Sequence, residues 1–261
     1  MTTTFNNFYI AAHEAGSTRG NLPLWANTNQ NPITLTSTPQ QTITKKMIEQ
    51  VPGAFQLFNV LSPQECDTLI HISEHMGYTE DAAVSLKRNI RHNMNVNWIT
   101  DNTTEQILWS RLSPLLKSSL QNNHTYSLGK TPLGLNQRFR FYRYEKGDYF
   151  ATHTDGAWPG SRMIDNTPVT DAFGDRHSLF TCLIFLSENY SGGATTFLVD
   201  PTNPTKPART LEGANTVAIK TPKGGMLFFP HGQHPLHCLH SSALINQGVK
   251  YIIRTDVLFS L

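Results

Sequence analysis

The sequence predicts an α+β fold with a mainly β core, in which two amphipathic helices pack on the outside of a sandwich or barrel of short strands. Three observations predict it. Capping signals followed by helical periodicity are confined to the first half of the 261 residues. Short β-type runs begin near Leu135 and continue to the C-terminus, and Gly or Pro clusters separate them.

Residues 1–45 are rich in Thr, Asn and Gln with little periodicity. They read as a polar N-terminal extension, loosely ordered or wrapped over the core. The folded domain then spans 46–261, with front helices over 46–130 and the β core over 131–261. Ser62-Pro63-Gln64-Glu65 opens the first helix with a capping Ser, Pro at the first helical position and Glu at the third. Cys66, Leu69, Ile70, Ser73 and Met76 follow at helical spacing, and Gly77 is the expected stop. His71 and His75 share a face of this helix at a spacing that can bind metal, but no third ligand is near in sequence, so a solvated face is the expectation. A second helix is expected to open at Thr103, with Gln106 closing a capping box. Ile107, Leu108, Trp109, Leu112, Leu115 and Leu116 give it an apolar side, and Pro114 should kink or interrupt it.

The strand signals come next. In Arg138 to Tyr144 one face would carry Arg138, Arg140, Tyr142 and Tyr144, and the other Phe139, Phe141 and Arg143. Further strands are expected over 179–186, 194–199, 216–220, 226–229 and 249–259. Gly192-Gly193, Pro201 to Pro207 and Gly224-Gly225 mark turns between them.

Composition removes several function classes. Apolar residues make up 38% of the chain and charged residues 15%, as in globular proteins rather than disordered ones. The net charge is +2 and no basic block extends beyond Lys45-Lys46, so a broad nucleic-acid face is not indicated. Met1 to Ile10 lacks the basic start and apolar stretch of a signal peptide, and no apolar run reaches the roughly 18 residues of a membrane span. Cys66, Cys182 and Cys238 are odd in number and far apart, which argues against a disulfide framework and suits a reducing cytosol, so a cytoplasmic protein is expected. The Asn-x-Thr triplets at Asn102 and Asn123 read as chance matches in a protein that is not secreted. Oligomeric state is not legible.

The chemistry is carried by His153-Thr154-Asp155. In extended backbone, residues two apart point the same way, so both side chains can face one ion. A second His from a distant strand would complete two imidazoles and one carboxylate on one face of the ion, leaving positions open for oxygen activation by Fe(II). His231, His234, His237 and His240 all compete for that place.

The C-terminal segment from His240 through Ile245, Gly248, Lys250, Arg254 and Asp256 resembles the prolyl 4-hydroxylase-like branch of the iron(II)/2-oxoglutarate dioxygenases. That branch shows His-x-Asp, a distal His, and a Lys ten positions later; Lys250 stands ten after His240. Arg143-Tyr144-Glu145-Lys146-Gly147 upstream of His153, the run Thr181 to Leu186 leading into Gly192-Gly193 and Thr195-Thr196-Phe197, and the helix start at Leu61-Ser62-Pro63 agree with it. The resemblance runs from about residue 52 to the C-terminus.

The resemblance implies a double-stranded β-helix (jelly roll) flanked by N-terminal helices. It implies Fe(II) as cofactor, 2-oxoglutarate and O2 as cosubstrates, and ascorbate as a supporting reductant. The implied reaction hydroxylates an unactivated C–H and releases succinate and CO2, on a peptidyl prolyl residue or a small molecule. Counting back from Gly248 and Lys250 selects His240 as third ligand beside His153 and Asp155, with His237 the second choice and His231 and His234 shaping the rim. Lys250 takes the cation position for the far carboxylate of 2-oxoglutarate. Arg254 is the alternative, or else forms an ion pair with Asp256 or another acid. Tyr144 and Thr181 match positions whose hydroxyls contact the cosubstrate, and Tyr142, on the same face as Tyr144, is read as core. The family's aromatic three before the first His is Phe150 here, a departure that leaves no phenol at that point. The insertion from Asp155 to Arg176 reads as a lid, with Trp158 either contacting substrate or anchoring the loop. Arg88, Arg91 and Asn95 are further candidates to reach the site. The competing classes are a catalytically silent jelly-roll binding module and a cupin-like metal enzyme that does not use 2-oxoglutarate.

Overall fold

Period-two alternation decides which way each strand faces, and Arg138–Tyr144 shows it most clearly. Phe139 and Phe141 enter an apolar cluster shared with the helices, while Tyr142 and Tyr144 enter a second cluster on the other side of the sheet. The architecture is that of a computed structural model, which describes residues 5–82, 89–118, 124–203 and 205–261.

The first strands are β1 (Phe8–Glu14), β2 (Leu22–Asn27), β3 (Thr44–Met47) and β4 (Phe55–Phe58). Helix α1 (Pro63–Met76), β5 (Arg91–His92), β6 (Met94–Ile99), α2 (Asn102–Leu116) and α3 (His124–Ser127) follow. Then come β7 (Pro132–Leu135), β8 (Arg138–Tyr144), β9 (Tyr149–His153), the pair β10 (Arg162–Ile164) and β11 (Thr167–Val169), and β12 (Arg176–Phe185). The chain closes with β13 (Tyr190–Gly192), β14 (Thr195–Val199), β15 (Asn215–Ile219), β16 (Met226–Pro230), β17 (His240–Ser242), β18 (Ile245–Gly248) and β19 (Lys250–Ser260).

Two sheets dominate. The larger has ten strands in the order β1-β2-β6-β8-β19-β12-β16-β4-β3, with β7 also on β19; the smaller runs β15-β14-β17-β9-β5. From β8 onward the chain crosses repeatedly between them: β8 to β9, β12 to β14, β15 to β16, and β17 to β19. That path is the expected double-stranded β-helix. Its interior is an apolar cluster drawn from both sheets, including Phe185, Phe197, Phe229 and Ile252. The outer face of the large sheet packs on the helices, where Phe141, Cys182, Ile184 and Ile253 meet Leu69, Ile72, Leu108 and Leu112.

Helix α1 forms as its sequence dictates. Ser62 accepts from the Glu65 backbone, the Glu65 side chain returns to the Ser62 N–H, and Gly77 caps the end. Ile72 rather than Ile70 completes the buried stripe. His71 and His75 are exposed, as a solvated face requires. The cap of helix α2 lies two residues earlier than expected. Asp101, not Thr103, is its cap, because Asp101 receives both the backbone N–H and the hydroxyl of Thr104, while Thr103 is turned toward Gln30. Pro114 lies in the last turns of α2 and does not interrupt it before Leu116.

The described part of the segment 1–45 is paired into the large sheet. β1 and β2 form an antiparallel pair, β2 runs parallel to β6 through Leu24↔Asn97 and Trp25↔Trp98, and β3 pairs β4 at the opposite edge. The reason is local: Leu22, Leu24 and Ala26 alternate with less buried residues and bury one apolar face. Asp81 ties this edge down. Its carboxylate accepts from the backbone N–H groups of Ser17, Thr18 and Arg19 and from the hydroxyls of Ser17 and Thr18.

Candidate metal centre

Strand register brings the two imidazoles together. β9 ends on His153 and β17 begins on His240, and these two residues are direct partners across the small sheet. Asp155 follows His153 by two and returns its carboxylate to the same point. The Nε2 of His153 is 3.8 Å from Asp155 Oδ1, and the Nε2 of His240 is 3.7 Å from Oδ2. One ligand atom from each residue lies within 4.8 Å of the other two. One ion with bonds of about 2.0–2.2 Å needs its donors closer than about 4.4 Å, so these side chains would draw in slightly to hold one.

The rest of each ring is already committed. His153 Nδ1 bonds the Ala151 carbonyl at 2.8 Å, and His240 Nδ1 bonds the Cys238 carbonyl at 3.2 Å. A carbonyl only accepts, so each Nδ1 carries the proton and each Nε2 presents a lone pair toward Asp155. Phe150 stacks on His153 with centroids 3.6 Å apart and planes at 11°, so the ring that lacks a phenol serves as a rest for the first imidazole. Phe229 meets His240 edge-on at 4.6 Å.

Electrostatics favour the metal-ready state. Burial, then the neighbouring His240, bring His153 down to about 3, and burial likewise lowers His240, so both imidazoles stay neutral. Burial alone would raise the Asp155 carboxyl; Arg254, His240 and His153 overrule it and hold it well below the usual carboxylate range. Arg254 Nε lies 3.4 Å from Asp155 Oδ2, and its Nη2 lies 3.2 Å from Asp256. Arg254 thus pairs with both Asp155 and Asp256.

The Thr181 hydroxyl is 2.6 Å from Asp155 Oδ2 and 2.8 Å from His231 Nδ1, which sets it against the carboxylate. His231 is 1% exposed and its Nε2 meets Ser178, so it sits in the support behind Asp155 rather than on a rim. His234 is buried against the Tyr126 carbonyl, and His237 faces Arg209. Neither joins the ligand set.

Lys250 opens β19 opposite Tyr144 and is fully buried. Its Nζ donates to the Gly193 carbonyl at 2.7 Å and to Ser242 Oγ at 2.9 Å, and it lies 5.2 Å from the Tyr144 ring centre. Among the described residues no carboxylate pairs with it, and burial lowers its ammonium to about 7. An ammonium has three donors, so one remains for a ligand. The pocket that holds His153, Asp155 and His240 is also lined by Tyr142, Tyr144, Leu183, Thr195, Ser242 and Arg254. Gly193 is required here: it has φ 63°, and a Cβ would meet Ile245 at 2.3 Å and the Lys250 stem at 3.2 Å.

Arg91 and Asn95 line a neighbouring cavity, together with Trp158 from the insertion. Arg88 lies outside the described residues. Arg140 and Glu14 line the same cavity and carried no signal in the sequence beyond Arg140 sharing a strand face with Tyr142.

Fold and site together define a double-stranded β-helix protein with a two-histidine, one-carboxylate centre and a buried lysine beside it. No protein-family model and no curated protein sequence matches the chain. Among solved structures it is similar to a viral collagen prolyl hydroxylase of Paramecium bursaria Chlorella virus-1 in its 2OG complex, with TM-score 0.48 and 18% identity over 82% of this chain and 100% of that one. It is similar to a Pseudomonas putida prolyl-4-hydroxylase at TM-score 0.48 and 14% identity, over 79% of this chain and 92% of that one. A Trichoplax adhaerens prolyl hydroxylase in complex with a hypoxia inducible factor peptide fragment matches at TM-score 0.49 and 15% identity, over 78% of this chain and 83% of that one.

Proposed function

We propose that the chain is an iron(II)- and 2-oxoglutarate-dependent dioxygenase that hydroxylates an unactivated C–H bond with release of succinate and CO2. One observation carries this: a buried lysine, with no carboxylate partner among the described residues, donates to Ser242 in the wall of the pocket where two neutral imidazoles and an ionised Asp converge. His153, Asp155 and His240 would hold the iron. When bound, iron and 2-oxoglutarate supply the oxidising chemistry, in which one atom of O2 enters succinate and the other the substrate.

The chain's own residues do the rest. Lys250 takes the far carboxylate of the cosubstrate, which restores to the buried ammonium the counter-charge it lacks. Tyr144, opposite Lys250 on β8, closes the same wall with Tyr142. Arg254 and Thr181 hold the Asp155 carboxylate so that its charge stays aimed between the imidazoles. The apolar walls Phe150, Leu183 and Ile252 keep water from the reacting atoms. Ascorbate as a supporting reductant and a cytosolic setting belong to the same reading. It agrees with three free, buried cysteines; no helix among the described residues is long and apolar enough to cross a membrane.

Metal and cosubstrate binding can be measured separately. Equilibrium dialysis should give one Fe(II) per chain, lost in His153→Ala and in His240→Ala. Lys250→Met should keep the metal and lose 2-oxoglutarate. Retention of iron by both His variants would remove the site, and unchanged 2-oxoglutarate affinity in Lys250→Met would favour a cupin-like enzyme that does without it.

A further inference from the structure

Next to the metal pocket, with Tyr142 lining both, lies a cavity of about 220 Å3. Its walls come from distant parts of the chain: Glu14 on β1, Arg91 on β5, Asn95 on β6, Arg138 and Arg140 on β8, and Trp158 in the insertion. Three arginines therefore face it against one lining carboxylate, and that carboxylate, Glu14, is already paired with Arg138.

Three polar groups on this wall are left with little or nothing to bind. Arg140 is 5% exposed, and its hydrogen bond to Asp256 is long at 3.4 Å, with Asp256 shared with Arg254 at 3.2 Å. Trp158 Nε1 is a buried donor without a partner among the described residues, and its ring sits 5.4 Å from the Arg140 guanidinium. Asn95 Oδ1 is a buried acceptor without a partner among the described residues. Buried polar groups are ordinarily satisfied, and two unspent atoms beside a weakly paired guanidinium on a single cavity describe the complement of a ligand.

The complement has definite chemistry. A guanidinium and an indole N–H ask for an anion with planar acceptor oxygens; a carboxylate meets both. The Asn95 oxygen asks for an N–H or O–H donor. Size limits the rest, since the cavity of about 220 Å3 is smaller than the roughly 300–1,000 Å3 of sites for drug-sized ligands. The insertion lines one side through Trp158, Ser161 and Thr170.

We infer that this cavity is the primary-substrate subsite and takes a small carboxylic acid that also carries a hydrogen-bond donor, with the carboxylate on Arg140 and Trp158 and the donor on Asn95. As a substrate site it rests on the oxygenase reading of the adjoining pocket; as an acid-binding site it stands on its own walls. The acid is positioned from the Tyr142 side, so the carbon to be hydroxylated is the part that projects past Tyr142 toward His153 and Asp155.

The test is a binding measurement that needs no turnover. The full chain is titrated calorimetrically with the free L-amino acids, with their primary amides, and with an acetylated, amidated prolyl peptide. At least one free acid should bind, its amide at least about tenfold more weakly, and Arg140→Met should lose about ten- to a hundredfold in affinity for the acid. Arg140→Lys should recover part of that loss. Trp158→Phe, a half-buried and conservative change, should weaken the acid several-fold with an unchanged unfolding midpoint, which keeps the inference testable if Arg140→Met does not fold. The inference is overturned if no acid binds, if acid and amide bind alike, if only the peptide binds, or if both Arg140→Met and Trp158→Phe bind as wild type does. Acid binding without any 2-oxoglutarate turnover would overturn the oxygenase reading and leave the acid site in place.

Discussion

Thr181 donates its hydroxyl to Asp155 Oδ2 at 2.6 Å, and the same hydroxyl meets His231 at 2.8 Å. The Asp155 carboxylate is thus held by a buried Thr–His pair as well as by Arg254. Outer partners of this kind orient the ligand without touching the ion, and losing one costs about 10–100-fold in metal affinity. Thr181→Val keeps the shape and removes the donor. Its Fe(II) or Mn(II) affinity should fall within that range while its unfolding midpoint stays near wild type. An unchanged affinity would show that Asp155 needs no help from Thr181.

Lys250 predicts a pH dependence of stability in the ligand-free protein. Its ammonium is brought from about 10.4 when unfolded down to about 7 by burial when folded. Between those values the unfolded chain holds the proton that the folded chain has released, so stability rises with pH across the window, by up to about 1.4 kcal/mol per pH unit. Below about 7 the burial penalty is present in full. Denaturant unfolding from pH 7 to 10 should show this slope in the wild type, and Lys250→Met should lack it. Equal slopes would mean the lysine is not buried as described.

Asp81 predicts a slope of the same sign in the acid range. Against the upward push of burial, hydrogen bonds from Ser17, Thr18 and Arg19 hold its carboxyl well below the usual carboxylate range. Its contribution is complete above the unfolded value of about 3.9 and is lost as pH falls further toward its folded value. Asp81→Asn should cost about 1–3 kcal/mol near neutral pH and should raise amide exchange selectively at residues 16–19. Protection there that matches wild type would contradict the anchoring role.

Phe141 tests the layer assignment. It is fully buried on the helix side of β8, beside Trp98, while its neighbours Tyr142 and Arg140 face the interior and the cavity. Phe141→Ala should cost about 3–5 kcal/mol of stability and leave Fe(II) affinity within a few-fold at temperatures where the protein is folded. A large loss of metal affinity with little loss of stability would reverse the two faces.

Much of this was legible because the relevant physics is local. The His-x-Asp spacing places two ligands on one side of an extended segment, and the alternation in β8 assigns Phe139 and Phe141 to one layer and Tyr142 and Tyr144 to the other. The capping box at Ser62 and Glu65 is likewise complete within four residues. His240 was legible only through its distance to Lys250, because four histidines compete locally and the register with β9 decides among them. What remained hidden depends on long-range pairing. Asp101 became the cap of α2 with the N-terminal segment packed against it, where Asn27 and Asn31 also bond its carboxylate. Nothing near Arg140 shows that Asp256, 116 residues later, will allow its charge to be buried. The strands of residues 8–27 were missed because their apolar faces are short and set in Thr- and Asn-rich sequence.

The central claim is that the chain couples 2-oxoglutarate to iron through His153, Asp155, His240 and Lys250. Succinate formation measures it most directly, using purified protein reconstituted with Fe(II) without air and then supplied with ascorbate, 2-oxoglutarate and O2. Wild type should form succinate even without a primary substrate, at a slow uncoupled rate that vanishes in His240→Ala and falls at least about tenfold in Lys250→Met, the loss expected for one buried charge-assisted contact. Iron-loaded wild type that forms no succinate, or wild-type rates in Lys250→Met, would contradict the account.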